Sequence, residues 1–245
     1  MVFLTACDLL PEVPTPTPLP DTPTPIPSLT ATATPVWFPP TITPTQFNTV
    51  EVIPTKNMVP DLGMILLEDP LTSGLQWQLA RSDVGGVASG NNELTVTIAK
   101  PGGYIYTLRD APMLGDFYLE INSQTSLCRD EDSYGLIFRA KSSREYYRFV
   151  ISCAGLTWLE REGGGYTINL SKKEPSGQIQ PGPQNMSRIG MMARGKEFRF
   201  FINGVFQYSV SDPSYSSGMF GVFARSGGDT AVTVSYKNLV VNALK

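Results

Sequence analysis

The stretch SYGLIFRAKSSREYYRFVISC, residues 133–153, alternates apolar and polar side chains on both sides of a polar turn. This pattern is typical of a β-hairpin. Because side chains alternate between the two faces of a strand, the pairing register decides which of them become buried. A register that pairs Ala140 with Glu145 predicts six core side chains: Tyr134, Leu136, Phe138, Tyr147, Phe149 and Ile151.

The strand that follows, residues 156–162, has two alternative registers. One register puts Glu160 in the core, and the other points Trp158 and Glu160 outward, beside the far face of the hairpin. Burying a lone carboxylate costs several kcal/mol, so the second register is favoured. The outward face then carries five residues that we predict as a ligand site: Arg139, Tyr146, Arg148, Trp158 and Glu160.

Aromatic rings beside charged groups suit sugar recognition, because a ring stacks on pyranose C–H groups while Arg and Glu hydrogen-bond hydroxyls. The alternative is a structural face covered by a loop, with Arg148 and Glu160 as a cross-strand ion pair.

Short strand signals separated by Gly, Pro and Asn turns continue through the rest of the chain from residue 61. Their spacing of about 8 to 15 residues is typical of a β-sandwich. We therefore expect one all-β domain over residues 61–245, with Trp77 in its core and a polar loop over residues 171–183.

Charge and composition exclude several classes of function. The chain has 19 basic and 22 acidic residues, and apart from Lys56 and four acidic residues all of them follow Pro60, which leaves 18 of each in the domain. A balanced domain is a poor partner for nucleic acid. There is no histidine, so catalysis and metal binding by imidazole are excluded.

The N-terminus resembles the end of a bacterial lipoprotein signal peptide. Residues 1–7 end in Leu4-Thr5-Ala6-Cys7, an apolar residue and two small residues before the cysteine that is acylated in such proteins. We expect Cys7 to be lipidated and the protein to be an extracytoplasmic lipoprotein held to the membrane by this lipid alone; a chance thiol is the alternative.

Proline and threonine dominate residues 8–60, which hold 14 of the 21 prolines. Proline removes backbone donors and fixes φ, so we expect a disordered, extended linker that carries the domain away from the membrane.

Five motifs in residues 61–245 resemble the laminin-G and concanavalin A-like jelly-roll domains of bacterial surface lipoproteins, including a branch related to 3-keto-disaccharide hydrolases: YGLIFRA, EYYRFVISCAGLTWLER, KEFRFFINGVFQYSV, SGMFGVFARSGG and VTVSYKNLVV. The resemblance implies a jelly-roll β-sandwich. Many of these domains carry Asp or Asn before the final Asn-Leu, where it joins a calcium site. Lys237 occupies that place here, which argues against a structural calcium ion of this kind.

Two further groups are predicted from their positions. Cys128 and Cys153 flank the central hairpin in an oxidising compartment, so we expect a disulfide, with two buried thiols as the alternative. Asp130 and Asp132 are the remaining candidate calcium ligands, with a solvated loop as the alternative.

Glu160 and Glu162 are the best catalytic candidates, because carboxylates two residues apart on a strand share a face at about 7 Å, close to the spacing in glycosidases. Glycines follow at once, so we expect Glu162 to fray into a turn, and the Glu-x-Asp-x-x-Glu strand of the laminarinase-like hydrolases is missing. The sequence thus favours a non-catalytic module that binds glycan or cell-surface polymer, without a cofactor. A glycoside hydrolase-like enzyme and a structural or protein-interaction domain are the alternatives.

Overall fold

The computed structural model describes residues 58–228 and 231–245, and within them the chain forms strands and loops without a helix. The fifteen strands are β1 Leu62–Asp69, β2 Gly85–Gly90, β3 Glu93–Ile98, β4 Tyr104–Leu114, β5 Phe117–Leu127, β6 Ser133–Ser142, β7 Glu145–Ser152, β8 Leu156–Gly163, β9 Tyr166–Asn169, β10 Glu174–Pro175, β11 Met186–Arg194, β12 Glu197–Ile202, β13 Val205–Ser211, β14 Gly218–Arg225 and β15 Val232–Leu244. In this part of the chain no helix is long and apolar enough to span a membrane. The predicted lipidation site Cys7 and nearly all of the predicted linker lie outside the described residues.

The strands form two antiparallel sheets. One has eight strands in the order β13-β12-β11-β5-β15-β3-β2, with β1 also paired to β15. The other has seven strands in the order β10-β8-β7-β6-β14-β4, with β9 also paired to β8. Many strands pair with strands that are distant in sequence, so long-range pairing builds both sheets, as in a jelly roll.

The core lies between the two sheets and is filled by aromatic rings. Phe149 on β7 stacks on Phe200 on β12 with ring centroids 4.3 Å apart, and Phe138 meets Phe198 edge-on at 5.1 Å. All six side chains predicted as core from the central hairpin are buried, and so is Trp77. These contacts join β6 and β7 of one sheet to β12 of the other.

The central hairpin keeps the predicted register through most of its length. Leu136 pairs with Phe149, and Phe138 pairs with Tyr147. The prediction that Ala140 pairs with Glu145 is wrong, since Ser142 takes that place after a β-bulge. The bulge includes Arg139, whose φ of 49° lies in the left-handed region.

Most other predicted strands are present, with differences at short or polar segments. The sequence missed β2, because its glycine, alanine and serine residues give no apolar alternation. The predicted polar loop at residues 171–183 contains the two-residue strand β10. Glu162 does not fray into a turn, because it pairs with Tyr146 on one side and Thr167 on the other.

The described chain starts against the outer face of the eight-stranded sheet. Met58, Val59 and Leu62 pack on a small cluster that includes Phe201. Arg199 donates a hydrogen bond from Nη1 to the carbonyl of Met58 at 3.3 Å. Met58 and Val59 therefore lie on the outer side of the eight-stranded sheet.

The predicted disulfide between Cys128 and Cys153 is present, with Cα atoms 5.6 Å apart. Residues 129–132 form the turn that places Cys128 beside Cys153. In this turn the amide of Asp132 donates to the carbonyl of Arg129 at 2.9 Å. The bridge fixes the open end of the central hairpin to β5.

Candidate functional site

The outer face of the seven-stranded sheet carries four of the five residues predicted as a ligand site: Tyr146, Arg148, Trp158 and Glu160. Strand pairing aligns side chains across this face in rows. One row runs Tyr106, Phe223, Gly135, Val150, Trp158, and the next runs Leu108, Gly221, Ile137, Arg148, Glu160. We call the following group the candidate face: Tyr104, Tyr106, Tyr146, Arg148, Trp158, Glu160, Phe223 and Arg225.

Arg148 and Glu160 form a buried ion pair at the centre of the candidate face. Arg148 Nε donates to Glu160 Oε2 at 2.6 Å, and Nη2 lies 2.5 Å from the same oxygen. The other oxygen, Oε1, accepts from Trp158 Nε1 at 2.7 Å. Each of the two charged residues is only 5% exposed. The register that points Trp158 and Glu160 away from the core is confirmed.

Aromatic rings surround the guanidinium of this pair. The Cζ atom of Arg148 lies 5.1 Å from the ring centroid of Tyr104, 5.6 Å from that of Phe223 and 5.8 Å from that of Tyr146. The hydroxyls of Tyr104 and Tyr146 are 3.3 Å apart. Rings at these distances stabilise a cation through their quadrupoles, and they also fix where it sits.

The surroundings keep both members of the pair charged. Burial raises the pKa of the Glu160 carboxyl, but Arg148, Arg225 and the hydrogen bond from Trp158 together lower it by more, so the pKa lies below its usual value. Burial lowers the pKa of the Arg148 guanidinium, but Tyr104 and Glu160 reverse this, so the pKa lies above its usual range. Burial also raises the pKa of Tyr104, which stays neutral.

A hollow of about 470 Å³ opens beside the candidate face, where β4 forms the edge of the sheet. Tyr104 and Tyr106 line one side, and residues 78–82 line the other. Both tyrosines are half-buried, and their ring centroids are 5.6 Å apart. They are the aromatic part of the face that a ligand reaches most directly.

A larger hollow of about 640 Å³ lies at the disulfide end of the sandwich, lined by Leu127, both cysteines, residues 129–130 and 181–183. Its described lining contains no aromatic ring. The ring and charge combination that suits a sugar is found at the candidate face.

Two expectations about single residues are wrong. Trp158 is not exposed: it packs in an apolar cluster with Tyr146 and Val150, the ammonium of Lys173 lies over its ring at 4.8 Å, and only 3% of the residue is accessible. Arg139 does not share the face of Arg148, because the β-bulge turns its side chain toward the end of the sandwich. Tyr146, Arg148, Trp158 and Glu160 do lie together.

Arg139 instead joins three turns at one end of the sandwich. Its Nε and Nη2 both donate to the carbonyl of Gly115, at 3.1 and 2.8 Å. Nη1 donates to the carbonyls of Gly195 and Tyr215, at 2.7 and 3.1 Å, and Nη2 also reaches Asp116 Oδ1 at 3.1 Å. A guanidinium with its donors in a fixed fork suits this arrangement. Its position is structural.

The two candidate catalytic carboxylates have hydrogen-bond partners. Both oxygens of Glu160 are held by Arg148 and Trp158. Glu162 lies two residues further along β8 on the same face, and its Oε2 accepts from Thr167 at 2.6 Å. A glycosidase acid needs a carboxyl whose pKa is raised, whereas the pKa of Glu160 is lowered.

The acidic loop beside the disulfide acts as a turn. Asp132 is buried, and its two oxygens accept from the backbone amides of Arg129 at 2.9 Å and Gly227 at 3.0 Å. Asp130 has a φ of 47° and is exposed. The described residues contain no group of three or more Cys, Asp or Glu side chains that could hold a metal ion. Lys237, at the position noted for calcium, pairs with Glu93 at 2.9 Å.

Several residues of the candidate face escaped sequence reasoning. Tyr104, Tyr106, Phe223 and Arg225 come from β4 and β14, which are far from the central hairpin in sequence. Alternation along β4 shows that Tyr104 and Tyr106 share a face. Only the strand order β6-β14-β4 shows that this is the face of Arg148.

No protein-family model matches the chain, and no curated protein sequence matches it significantly. Solved structures do resemble it. A carbohydrate-binding module, CBM66, from Bacillus subtilis superposes with a TM-score of 0.55 at 16% identity over 69% of this chain and 96% of its own. A Bacillus subtilis protein with a galectin-like fold gives 0.56 at 12% identity, over 75% and 98%.

An endo-1,3-β-glucanase (laminarinase) catalytic domain from Thermotoga petrophila gives a TM-score of 0.55 at 9% identity, over 76% of this chain and 100% of its own. At such low identities the likeness establishes the fold alone. Residues 58–228 and 231–245 form a jelly-roll β-sandwich of the concanavalin A-like fold.

Proposed function

We propose that this protein is a lipid-anchored surface protein whose jelly-roll domain binds glycan or cell-surface polymer at the candidate face, without catalysis. The observation that carries the proposal is the ion pair of Arg148 and Glu160, which is buried within aromatic rings on the outer face of a sheet. Taking two charges out of water is costly, and apolar side chains would cover a purely structural face at lower cost.

The arrangement suits a sugar because it combines fixed rings with fixed polar groups. The floor of the site is rigid, since Glu160 is held by Arg148 and Trp158. Above this floor, Tyr104 and Tyr106 present half-buried rings beside the hollow. A ring that is held in place stacks on a pyranose without losing further side-chain entropy, which favours affinity.

Binding without reaction is supported by the state of the carboxylates. A glycosidase needs one carboxyl that donates a proton and a second that acts as base or nucleophile. Glu160 is ionised and fully hydrogen-bonded, so it is a poor proton donor. The carbohydrate-binding module and the laminarinase domain with the same fold are named for saccharide ligands, which is in keeping with a glycan as the ligand here.

A polysaccharide array tests the binding proposal directly. The full chain, produced in an oxidising compartment, is compared with Tyr106→Ala and with Tyr166→Ala as the matched control. Tyr166 is 62% exposed on β9 and lies outside the candidate face. We expect the wild type and Tyr166→Ala to bind the same glycans, and Tyr106→Ala to bind about tenfold more weakly or worse. Absence of glycan binding by the wild type, or equal binding by Tyr106→Ala, would contradict the proposal.

The anchoring part of the proposal rests on the Leu4-Thr5-Ala6-Cys7 motif and on the Pro/Thr-rich segment after it. Met58 and Val59 enter the domain on the outer face of the eight-stranded sheet, so the candidate face lies on the opposite side of the sandwich from this attachment. Expressed in bacteria behind a lipoprotein signal, the chain should partition into detergent, and Cys7→Ser should release it. Detergent partitioning that is unchanged in Cys7→Ser would rule out the anchor.

A further inference from the structure

Three cations lie along the candidate face and beside it, on a path from the β4 edge to β8. Arg81 lines the same hollow as Tyr104 and Tyr106. Arg225 is the direct pairing partner of Tyr104 on the neighbouring strand. Lys173 lies over the ring of Trp158 at 4.8 Å. Together they place positive charge at both ends of the face and at its middle.

These cations have N–H donors that no described residue occupies. Arg225 Nε donates to Ser133 Oγ at 3.1 Å, and Nη2 lies 3.6 Å from Glu160 Oε1. None of the described residues accepts a hydrogen bond from its Nη1, and its side chain is 30% exposed. Arg81 and Lys173 are exposed, and neither side chain forms an ion pair with a described residue. The guanidinium and ammonium groups therefore face solvent with free N–H donors.

The nearby carboxylates do not neutralise this path. Arg148 neutralises Glu160, and Lys100 neutralises Asp83. Glu162 accepts only from the neutral hydroxyl of Thr167 and keeps its charge, but the three cations outnumber it. Glu174 follows Lys173 in sequence and lies near Tyr208, whose ring packs against the core. Even with Glu162 and Glu174 both charged, the three cations remain in excess. The domain as a whole is balanced, so the excess of positive charge is local.

From this placement we propose that the ligand is an acidic polysaccharide, whose carboxylates pair with Arg81, Arg225 and Lys173 while its sugar rings stack on Tyr104 and Tyr106. This inference rests on the proposed function and specifies the ligand class for the same site. Guanidinium groups bind carboxylates through paired N–H donors, and an aromatic ring next to the charge recognises the sugar ring that bears it.

Matched pairs of polymers test the inference. Polygalacturonate, alginate and hyaluronate are each compared with a methyl-esterified form, which keeps the backbone and removes the charge. We expect at least one acidic polymer to bind about tenfold or more tightly than its ester at about 0.05 M NaCl. That preference should shrink toward equality at about 0.5 M NaCl, because salt screens exposed charges.

Variants connect the preference to the named residues. Arg81→Gln and Arg225→Gln should each weaken binding of the acid form by about fivefold or more, and by clearly more than they weaken binding of the ester form. Arg225→Lys should keep part of the affinity for the acid form. Lys196→Gln, in the exposed turn between β11 and β12, is the control and should change neither. Far-ultraviolet circular dichroism and melting temperature show which variants are folded, and Arg81→Gln tests the inference if Arg225→Gln is not.

The outcomes separate this inference from the proposed function. Equal affinity for the acid and ester forms in all three pairs would overturn the inference and leave glycan binding in place. Arg81→Gln and Arg225→Gln that bind the acid form like the wild type would overturn it as well. A protein that binds no polysaccharide of any charge would overturn both.

Discussion

Glu160 stands directly opposite Arg148 in the pairing of β7 with β8, and it accepts hydrogen bonds from Arg148 and Trp158 at the same time. The two charges therefore neutralise each other beneath the surface of the candidate face. Removing one of them leaves the other buried without a counter-charge, which costs more than the pair itself contributes.

Glu160→Gln is therefore expected to lower the free energy of unfolding by about 3–5 kcal/mol at neutral pH. Glu68→Gln, at an exposed carboxylate on β1, is the matched control and should stay within about 0.5 kcal/mol of wild type. Urea denaturation measures both. A loss below about 1 kcal/mol in Glu160→Gln would show that the pair is not buried in solution.

The same residue predicts the acid dependence of stability. The pKa of Glu160 is lower in the folded protein than in the unfolded chain. A lowered pKa contributes stability at pH values above the unfolded value of about 4.5, and this contribution is lost as the pH falls below it. The difference in the free energy of unfolding between wild type and Glu160→Gln should therefore decrease as the pH falls below about 4.5. A difference that stays constant down to acid unfolding would contradict this sign.

Arg139→Lys tests the group that joins the turns at Gly115, Gly195 and Tyr215. A lysine ammonium does not reproduce the fork that spans these carbonyls, so at least one buried acceptor loses its donor. We expect a loss of roughly 3 kcal/mol in urea denaturation. Arg144→Lys, exposed in the turn of the central hairpin, should be neutral, and equal effects of the two substitutions would refute this role of Arg139.

The position of Arg139 is a feature that the sequence pattern did not predict. Alternation predicted the six inward side chains of the hairpin, because burial of one face imposes a period of two. The β-bulge broke that period, and at the bulge Arg139 binds carbonyls of turns that lie 24 to 76 residues away. No local signal in the sequence marks such a bulge. The burial of Trp158 also involves a distant residue, since Lys173, which lies over its ring, follows two further turns of the chain.

The orientation of Glu160, by contrast, was predicted correctly, because a local energetic argument was enough to determine it. The cost of a lone buried carboxylate predicted that Trp158 and Glu160 point away from the core, and they do. The same argument did not predict Tyr104 or Arg225, whose place beside Arg148 depends on the order of strands within the sheet. Fold class and strand positions followed from spacing, whereas the composition of the candidate face required the topology.

Reduction of the Cys128–Cys153 disulfide is expected to destabilise the domain. The bridge closes a loop with a sequence separation of 25, which corresponds to about 3.5 kcal/mol on the chain-entropy relation. The melting temperature should fall by roughly 5–10 °C after reduction. Protein prepared in an oxidising compartment and then unfolded should show no free thiol at either position. Two titratable thiols there would contradict the bridge.

High pH should unfold the protein through its buried tyrosines. Burial raises the pKa of Tyr134 to about 12, and it raises the pKa values of Tyr118, Tyr147, Tyr208 and Tyr236 as well. These groups hold their protons more tightly in the folded protein than in the unfolded chain, where the pKa is about 10. Their contribution to stability is full below about pH 10 and is lost as the pH rises toward 12.

Each such tyrosine removes about 1.4 kcal/mol per pH unit above pH 10, so several together exhaust a typical domain stability within about two units. Phenolate absorbance and near-ultraviolet circular dichroism, followed through a pH titration, should therefore change together in one cooperative step. Ionisation of every tyrosine near pH 10 while the dichroism persists would contradict the burial of these rings.

Tyr134→Phe sharpens this test. The Tyr134 hydroxyl is buried and has no described partner within full hydrogen-bond geometry, and the nearby hydroxyls of Ser123 and Ser187 lower its pKa only in part. Removing the hydroxyl should leave stability at pH 7 unchanged or slightly raised, because an unsatisfied buried polar group is lost. It also removes one of the protons whose loss drives alkaline unfolding, so the midpoint should move to higher pH. Tyr166→Phe is the control, with an unchanged midpoint expected, and a midpoint in Tyr134→Phe that is unchanged or lower would show that the ionisation of Tyr134 is not linked to unfolding.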